Sequence, residues 1–197
     1  SIGLVGSEMC IRDSFYPIPY ENVIADTYFF NKNYDFEKFV QYLYNIKEKY
    51  LKKYHNNNIY NSYSHDEILT IGSLIEKEGL DTQDKKLISS VIFNRIKKNM
   101  KLQIDASVLY AITNGKFNLN RKLLYSDLQF EHPYNTYLYK GIPPKPISYV
   151  GKKTIEIIFQ NYKTDFMFYF FNKSLNRHVF SKSYEQHKKK LNEYRNK

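Results

Sequence analysis

Ser64-His65-Asp66-Glu67-Ile68-Leu69-Thr70-Ile71-Gly72-Ser73-Leu74-Ile75-Glu76-Lys77-Glu78-Gly79 is the stretch from which the fold reads outward. Its first four residues match a capping box, in which the serine oxygen and the glutamate satisfy each other's orphan backbone donors at a helix start. Gly79 is placed to stop the helix, so the spacing predicts a helix over residues 64–78. With Ile71 at the origin, a helical wheel sets Ile68 at about 60°, Leu74 at about −60°, Ile75 at about 40° and Glu78 at about −20°. Glu78 is therefore centred on the apolar face, while Glu76, at about 140°, and Lys77, at about −120°, turn to the polar side. A carboxyl on an apolar face, at a helix C-terminus where the dipole disfavours negative charge, is expected to have a raised pKa. That is what a general acid near neutral pH requires. The alternative is that Glu78 ends the stripe, frays into solvent or pairs with a basic residue such as Arg95, and spacing does not decide between them.

Working outward, a second helix is expected over 82–98, with Leu87, Ile88, Val91, Ile92 and Ile96 inward, forming an αα-hairpin with the first. Upstream, Phe36, Phe39, Val40, Leu43, Ile46, Tyr50 and Leu51 recur at three and four, which predicts an amphipathic helix over 35–54. The polar run 55–58 reads as a linker. Downstream, Asp105 can cap a shorter helix through Thr113, closed by Asn114-Gly115. Residues 116–149 contain Pro133, Pro143, Pro144 and Pro146 and read as a long loop, a feature that is functional more often than not. Residues 154–159 suggest a helical turn, 166–181 a strand, turn and strand, and 184–195 a terminal basic helix. The expected class is α+β: helix-rich, with one small antiparallel β-hairpin and a long proline-containing loop.

The 197 residues suffice for one compact domain with a sizeable core. Twenty tyrosines and 14 phenylalanines are too many for a disordered chain. No apolar stretch approaches the roughly 20 residues that span a bilayer, so the chain as given is expected to be soluble. A formal charge of +10 suits an anionic partner, but lysine supplies most of it, whereas nucleic-acid readers concentrate arginine near aromatics. One cysteine excludes an intrachain disulfide and a cysteine-based zinc site. Residues 1–14 lack helical or strand periodicity, and Met9-Cys10-Ile11-Arg12-Asp13-Ser14 resembles a reading frame of a transposon end used in sequencing libraries. They are expected to be a non-native or disordered leader that makes few contacts with the rest.

Two further clusters carry chemistry. Alternation in Leu102-Gln103-Ile104-Asp105 projects Gln103 and Asp105 to one side, with an N-cap as the default role of Asp105. Tyr134-Asn135-Thr136-Tyr137, followed by Gly141-Ile142-Pro143-Pro144-Lys145-Pro146, is a polar and aromatic patch fixed by prolines. It suits carbohydrate, through stacking on sugar faces and hydrogen bonds to acetamido and hydroxyl groups; a structural surface loop is the alternative. His178 and His187 match no metal-ligand spacing, and no phosphate loop, Ser-His-Asp motif or nucleotide fingerprint is present.

Ile71-Gly72-Ser73-Leu74-Ile75-Glu76-Lys77-Glu78, Phe93-Asn94-Arg95-Ile96, Met100-Lys101-Leu102-Gln103-Ile104-Asp105, Tyr134-Asn135-Thr136-Tyr137, Gly141-Ile142-Pro143-Pro144 and His178-Val179-Phe180 together resemble, in order and spacing, the YceG-like endolytic murein transglycosylases. Asp26-Thr27-Tyr28 fits the same pattern, and the resemblance covers about residues 15–195. It departs at Lys145, where a glycine is usual, at Ala106-Ser107 in place of Pro-Thr, and at Asp84-Lys85 in place of Glu-Arg. The resemblance implies that Glu78 is the catalytic acid and that Glu76, Gln103, Asp105, Tyr134, Asn135 and Tyr137 bind substrate. Glu78 is expected in a cleft, directed at the 134–137 loop, with Glu76 pointing elsewhere. No cofactor or metal is implied. The implied reaction is lytic cleavage between N-acetylmuramic acid and N-acetylglucosamine, giving 1,6-anhydro ends. It needs one carboxylate where ordinary glycosidases need two. The implied setting is the bacterial inner membrane with the catalytic domain facing the periplasm. Glycan strands are the partner, with other cell-wall synthesis proteins as possible associates and no nucleic acid. Residues 15–197 are expected to be the catalytic domain, with the family's membrane helix and LysM-like domain absent from this chain. The rival readings are a non-catalytic peptidoglycan-binding domain and a basic nucleic-acid-binding module.

Overall fold

The chain is described from a computed structural model covering residues 2–4, 18–30 and 35–195. Three short strands come first, β1 (Ile2–Leu4), β2 (Ile24–Ala25) and β3 (Tyr28–Phe30), followed by the helices α1 (Phe36–Leu51) and α2 (Asn58–Ser62). The central pair is α3 (His65–Glu78) and α4 (Thr82–Lys97), and α5 (Asp105–Thr113) packs behind it. After a long loop come β4 (Val150–Gly151), α6 (Lys152–Gln160), the hairpin β5 (Phe168–Asn172) and β6 (Arg177–Ser181), and α7 (Tyr184–Arg195). The class is α+β and helix-rich, as expected, with β5 and β6 antiparallel. Among the described residues, no helix is long and apolar enough to cross a membrane.

α3 is the core helix: every residue from 68 to 75 is buried. Its start is the expected capping box, in which Ser64 Oγ accepts the Glu67 amide at 3.2 Å and Glu67 Oε2 accepts the Ser64 amide at 2.8 Å. Burial on all sides follows from partners on all sides, since α4, α5, α6 and β4 pack around it. Small residues let β4 come close. A Cβ on Gly72 would lie 2.7 Å from a Val150 methyl, and Ser73 Oγ accepts the Ile147 amide at 3.0 Å. β4 in turn pairs in parallel with β2, so segments far apart in sequence, Ile24–Ala25 and Val150–Gly151, meet over α3.

Several boundaries differ from expectation for local reasons. Gly79 follows α3 but in an extended conformation, not a left-handed one. Its bareness serves the turn into α4, because a Cβ would sit 2.2 Å from Lys85 Cγ. The polar run expected as a linker contains the start of α2. Asn57 caps that helix by accepting the Ile59 amide at 2.9 Å, while its Nδ2 donates to the Phe159 carbonyl at 2.9 Å. β1, β2, β3 and β4 were not anticipated, since two or three residues are too few to show a period of two. β1 pairs antiparallel with β3, so residues 2–4 of the expected leader join a sheet. An open strand edge offers unpaired N–H and C=O groups to any extended segment. Residues 1 and 5–14 of that leader lie outside the described residues. The 116–149 loop contains one 3₁₀ turn, Asp127–Gln129.

Candidate active site

Glu78 ends α3 and is partly buried. The hydroxyl of Tyr169, on β5, donates to Glu78 Oε2 at 3.2 Å. Burial pushes the Glu78 carboxyl above its ordinary value, with the nearby Asp105 charge adding to the shift. The Tyr169 hydrogen bond, His178 and the Ala106 amide at the start of α5 work the other way without cancelling it. The raised carboxyl expected from the wheel therefore matches the geometry, through burial rather than through apolar neighbours, since the groups around it are polar. The alternative pairing with Arg95 is not seen. Arg95 is buried, and its guanidinium donates to the carbonyls of Met167 at 2.7 Å and Leu102 at 2.6 Å and stacks over the Phe168 ring.

Glu76 lies in a different environment. Its Oε1 accepts the Gly151 amide at 3.0 Å and its Oε2 is paired with Lys85 Nζ. Burial works against its charge, yet hydrogen bonds from Lys85, Thr154 and Gly151 hold it below the ordinary glutamate value. Glu76 is thus fixed as a carboxylate that ties α3 to α4 and to the β4–α6 junction. The sequence departures here keep their chemistry. Lys85 supplies the cation for Glu76, and Asp84 Oδ2 lies 2.8 Å from His178 Nδ1.

Gln103 and Asp105 are both exposed, with Leu102 and Ile104 buried between and beside them, as alternation predicts. Gln103 reaches this position with φ 52°, a left-handed backbone that a regular strand lacks, and its Oε1 lies 3.4 Å from Arg95 Nη1. Asp105 does not cap α5, contrary to its default role. The N-cap is Ile104, without a side-chain bond, and Asp105 Oδ1 instead accepts the Tyr137 hydroxyl at 2.5 Å. Burial and the charges of Asp105 and Glu78 push the Tyr137 phenol up, so it stays a donor.

The 134–137 loop docks on α5 through buried Thr136. Its hydroxyl accepts the Ile104 amide at 2.9 Å and lies 2.8 Å from Ser107 Oγ. Asn135, expected to touch substrate, has 0% exposure. Its Nδ2 donates to the carbonyls of Leu128 at 3.0 Å and Phe130 at 2.8 Å, and its Oδ1 accepts the Tyr137 amide at 2.9 Å. With every polar atom consumed, it shapes the loop and presents nothing to a ligand. Tyr134 is partly buried, its ring centroid 4.8 Å from that of Tyr110 and 5.5 Å from that of His132.

A cleft of about 970 Å³ runs along this face, lined by Glu76, Asp105, Ala106, Tyr20, Tyr110 and Tyr149 among others. The expectation had Glu78 opening into the cleft and Glu76 turned away. Glu76 is in the lining of this cleft and Glu78 is not, although Glu78 adjoins Asp105 and Ala106, which are. Glu76 and Lys77, on the polar side of the last turn of α3, line the cleft, while Glu78 meets Tyr169 of the hairpin. Sequence reasoning missed Tyr169 and the partnership of Asp84 with His178. The hairpin brings Tyr169 to Glu78 across 91 residues and His178 to Asp84 across 94, and only the His178-Val179-Phe180 motif hinted at it.

The helix-rich α+β domain thus holds one desolvated carboxyl able to give and take a proton, beside one carboxylate held in an ion pair and another engaged by tyrosine. The profile of the YceG-like family matches residues 20–193, and the chain belongs to that family. It is 36% identical over 169 residues to an endolytic murein transglycosylase of Bacillus subtilis (strain 168), covering 85% of this chain and 46% of the relative. It is 29% identical over 173 residues to a protein of that name from Streptococcus pneumoniae serotype 2 (strain D39), covering 86% and 31%. A crystal structure of a YceG-like protein from Listeria monocytogenes superposes with a TM-score of 0.74 at 33% identity, covering 86% of this chain and 54% of that one. The chain spans less than half the length of these curated relatives.

Proposed function

We propose that the chain carries the catalytic centre of an endolytic lytic transglycosylase. It cleaves the β-1,4 bond between N-acetylmuramic acid and N-acetylglucosamine in peptidoglycan strands and leaves 1,6-anhydro ends. The observation that carries the reading is Glu78: a carboxyl raised by burial, with Glu76 held ionised by Lys85 and unable to donate a proton. The protonated Glu78 gives its proton to the glycosidic oxygen as the bond to the anomeric carbon breaks. As a carboxylate it then takes the proton of the muramic 6-hydroxyl, whose oxygen attacks that same carbon. The proton returned to Glu78 restores the starting state, and no water or second carboxylate is consumed.

We assign Gln103, Asp105 and Tyr137, with Tyr134 as a ring surface, to holding the strand. Asn135 and Glu76 contribute by fixing the loop and the cleft wall. The similarity to proteins named murein transglycosylases supports this assignment of substrate. With that substrate we assign the reaction to the outer side of the inner membrane, with the catalytic domain facing the periplasm. The test is to incubate the protein with un-crosslinked glycan strands and identify the product ends by mass spectrometry. Anhydromuramic ends without reducing muramic ends are expected. Reducing ends would mean hydrolysis with a second carboxylate, for which Asp105 is the first suspect, and binding without cleavage would favour a wall-binding module.

A further inference from the structure

The mechanism uses Glu78 but leaves a buried polar chain behind it unexplained. Asp84 accepts the Leu80 amide at 3.0 Å on the same oxygen that lies 2.8 Å from His178 Nδ1. The side chains of both partners are almost wholly buried, at 9% and 6% exposure. His178 stands edge-on to the Tyr169 ring, with centroids 5.3 Å apart and planes at 87°. The hairpin register explains the contact: Tyr169 is opposite Phe180, so His178 is its diagonal neighbour on the same face. Tyr169 closes the chain with its bond to Glu78 Oε2. Among the described residues, Tyr169 is the one side chain that hydrogen-bonds Glu78. A buried, hydrogen-bonded carboxylate–imidazole pair costs desolvation, and here it stiffens a hairpin face at the point where a phenol meets the acid.

We propose that Tyr169 is the positioning residue of Glu78, clamped by the Asp84–His178 pair, and that it fixes one carboxyl oxygen so that the other exchanges the proton with the sugar. This rests on the reading of Glu78 as the acid. The groups facing Glu78 are Tyr169 from β5, His178 from β6, Asp105 and the Ala106 amide from α5, and Tyr137 from the loop, while Arg95 of α4 acts on both tyrosines. The Tyr169 bond favours the ionised carboxyl. Its removal therefore raises the Glu78 pKa further and frees the rotamer.

The experiment compares Tyr169→Phe with wild type by the pH profile of strand cleavage and by ¹³C NMR titration of the Glu78 carboxyl, assigned by its loss in Glu78→Gln. Tyr169→Phe is expected to lower kcat at least tenfold with KM little changed, and to move both the alkaline limb and the NMR titration to higher pH. His178→Gln moves both in the same direction. In the double variant the two effects are less than additive, since they act through one chain. A loss of activity with limb and titration unmoved makes Tyr169 merely structural and overturns the proposal, as does full additivity. Should Tyr169→Phe fail to fold, 3-fluorotyrosine incorporated at position 169 decides: the stronger donor is expected to move the NMR titration to lower pH, and an unmoved titration overturns the proposal. If wild type makes no anhydro ends, the proposed function falls, while the NMR titration still reports on the link between Tyr169 and Glu78.

Discussion

Replacing Asn135 by alanine separates a residue that touches sugar from one that shapes the loop holding those that do. The side chain is fully buried and makes three hydrogen bonds, to Leu128 O, Phe130 O and the Tyr137 amide, at 2.8–3.0 Å. At about 1 kcal/mol net per bond, the loss is about 3 kcal/mol. The larger penalty for stranded buried groups does not fully apply, because Leu128 is only partly buried and Phe130 is exposed, so water can reach those carbonyls. For a chain of this length each kcal/mol moves Tm by about 2–4 °C, so Asn135→Ala is expected to melt about 6–12 °C below wild type. Asn135→Asp should fare no better, because it aims a carboxylate at two carbonyl oxygens. Differential scanning calorimetry at fixed pH measures the shift, and glycan binding is measured at a temperature where both proteins are folded. A Tm within 2 °C of wild type together with a large loss of affinity would refute the reasoning and return Asn135 to the substrate.

Glu78→Gln keeps the shape and the bond from Tyr169 but cannot deliver a proton, so cleavage is expected to fall about 10²–10⁴-fold with strand binding retained, measured by release of anhydro ends. Undiminished cleavage would remove Glu78 from the mechanism. Wild-type activity should decline as pH rises through the raised Glu78 value, above the ordinary carboxylate range, since the reaction starts from the acid form; a rate profile checks the direction. Lys85→Met strands the Glu76 carboxylate and should cost about 1–3 kcal/mol near neutral pH. Because the folded Glu76 value is depressed, that contribution exists above the unfolded value and vanishes as pH falls through the folded one. The difference between wild type and variant in urea melts should therefore shrink in acid. Gly72→Ala gains about 0.8–1 kcal/mol of helix propensity but drives a methyl to 2.7 Å from Val150, an overpacking cost of about 1–3 kcal/mol. A net loss of stability is expected, and a gain would show that β4 yields freely.

Much of this site is local enough to be read from residue order. The helical period alone separates Glu78 from Glu76, and the capping box at Ser64 and Glu67 marks where that period begins. Alternation likewise brings Gln103 and Asp105 to one exposed side, although a left-handed Gln103 makes the turn that a strand pattern does not contain. What stayed hidden depends on partners distant in the chain. Tyr169 looks like any aromatic in a strand until the hairpin register carries it to α3. Asn135 has the chemistry of a sugar ligand, and only its burial among loop carbonyls shows that its bonding capacity is spent. Asp105 has the chemistry of a cap, and the Tyr137 hydroxyl, delivered by the loop, gives it another partner. Which face of a helix becomes cleft wall and which becomes interior is decided by what packs there, and the wheel does not carry that information.

The parallel pairing of β2 with β4 also sets a schedule. Asp26 waits for Lys152, its ion-pair partner 126 residues later, and the Ile18 carbonyl waits for the Tyr149 hydroxyl that caps it at 2.7 Å. At the ribosome's pace of about 5–20 residues per second, residues 18–26 emerge roughly 6–25 s before the surface that receives them. During that interval Ile24, buried in the finished domain, lacks its strand partner Val150. β2 therefore completes its pairing only after residues 150–151 have been made, and nascent chains stalled before Val150 should hold it open to chaperone or protease.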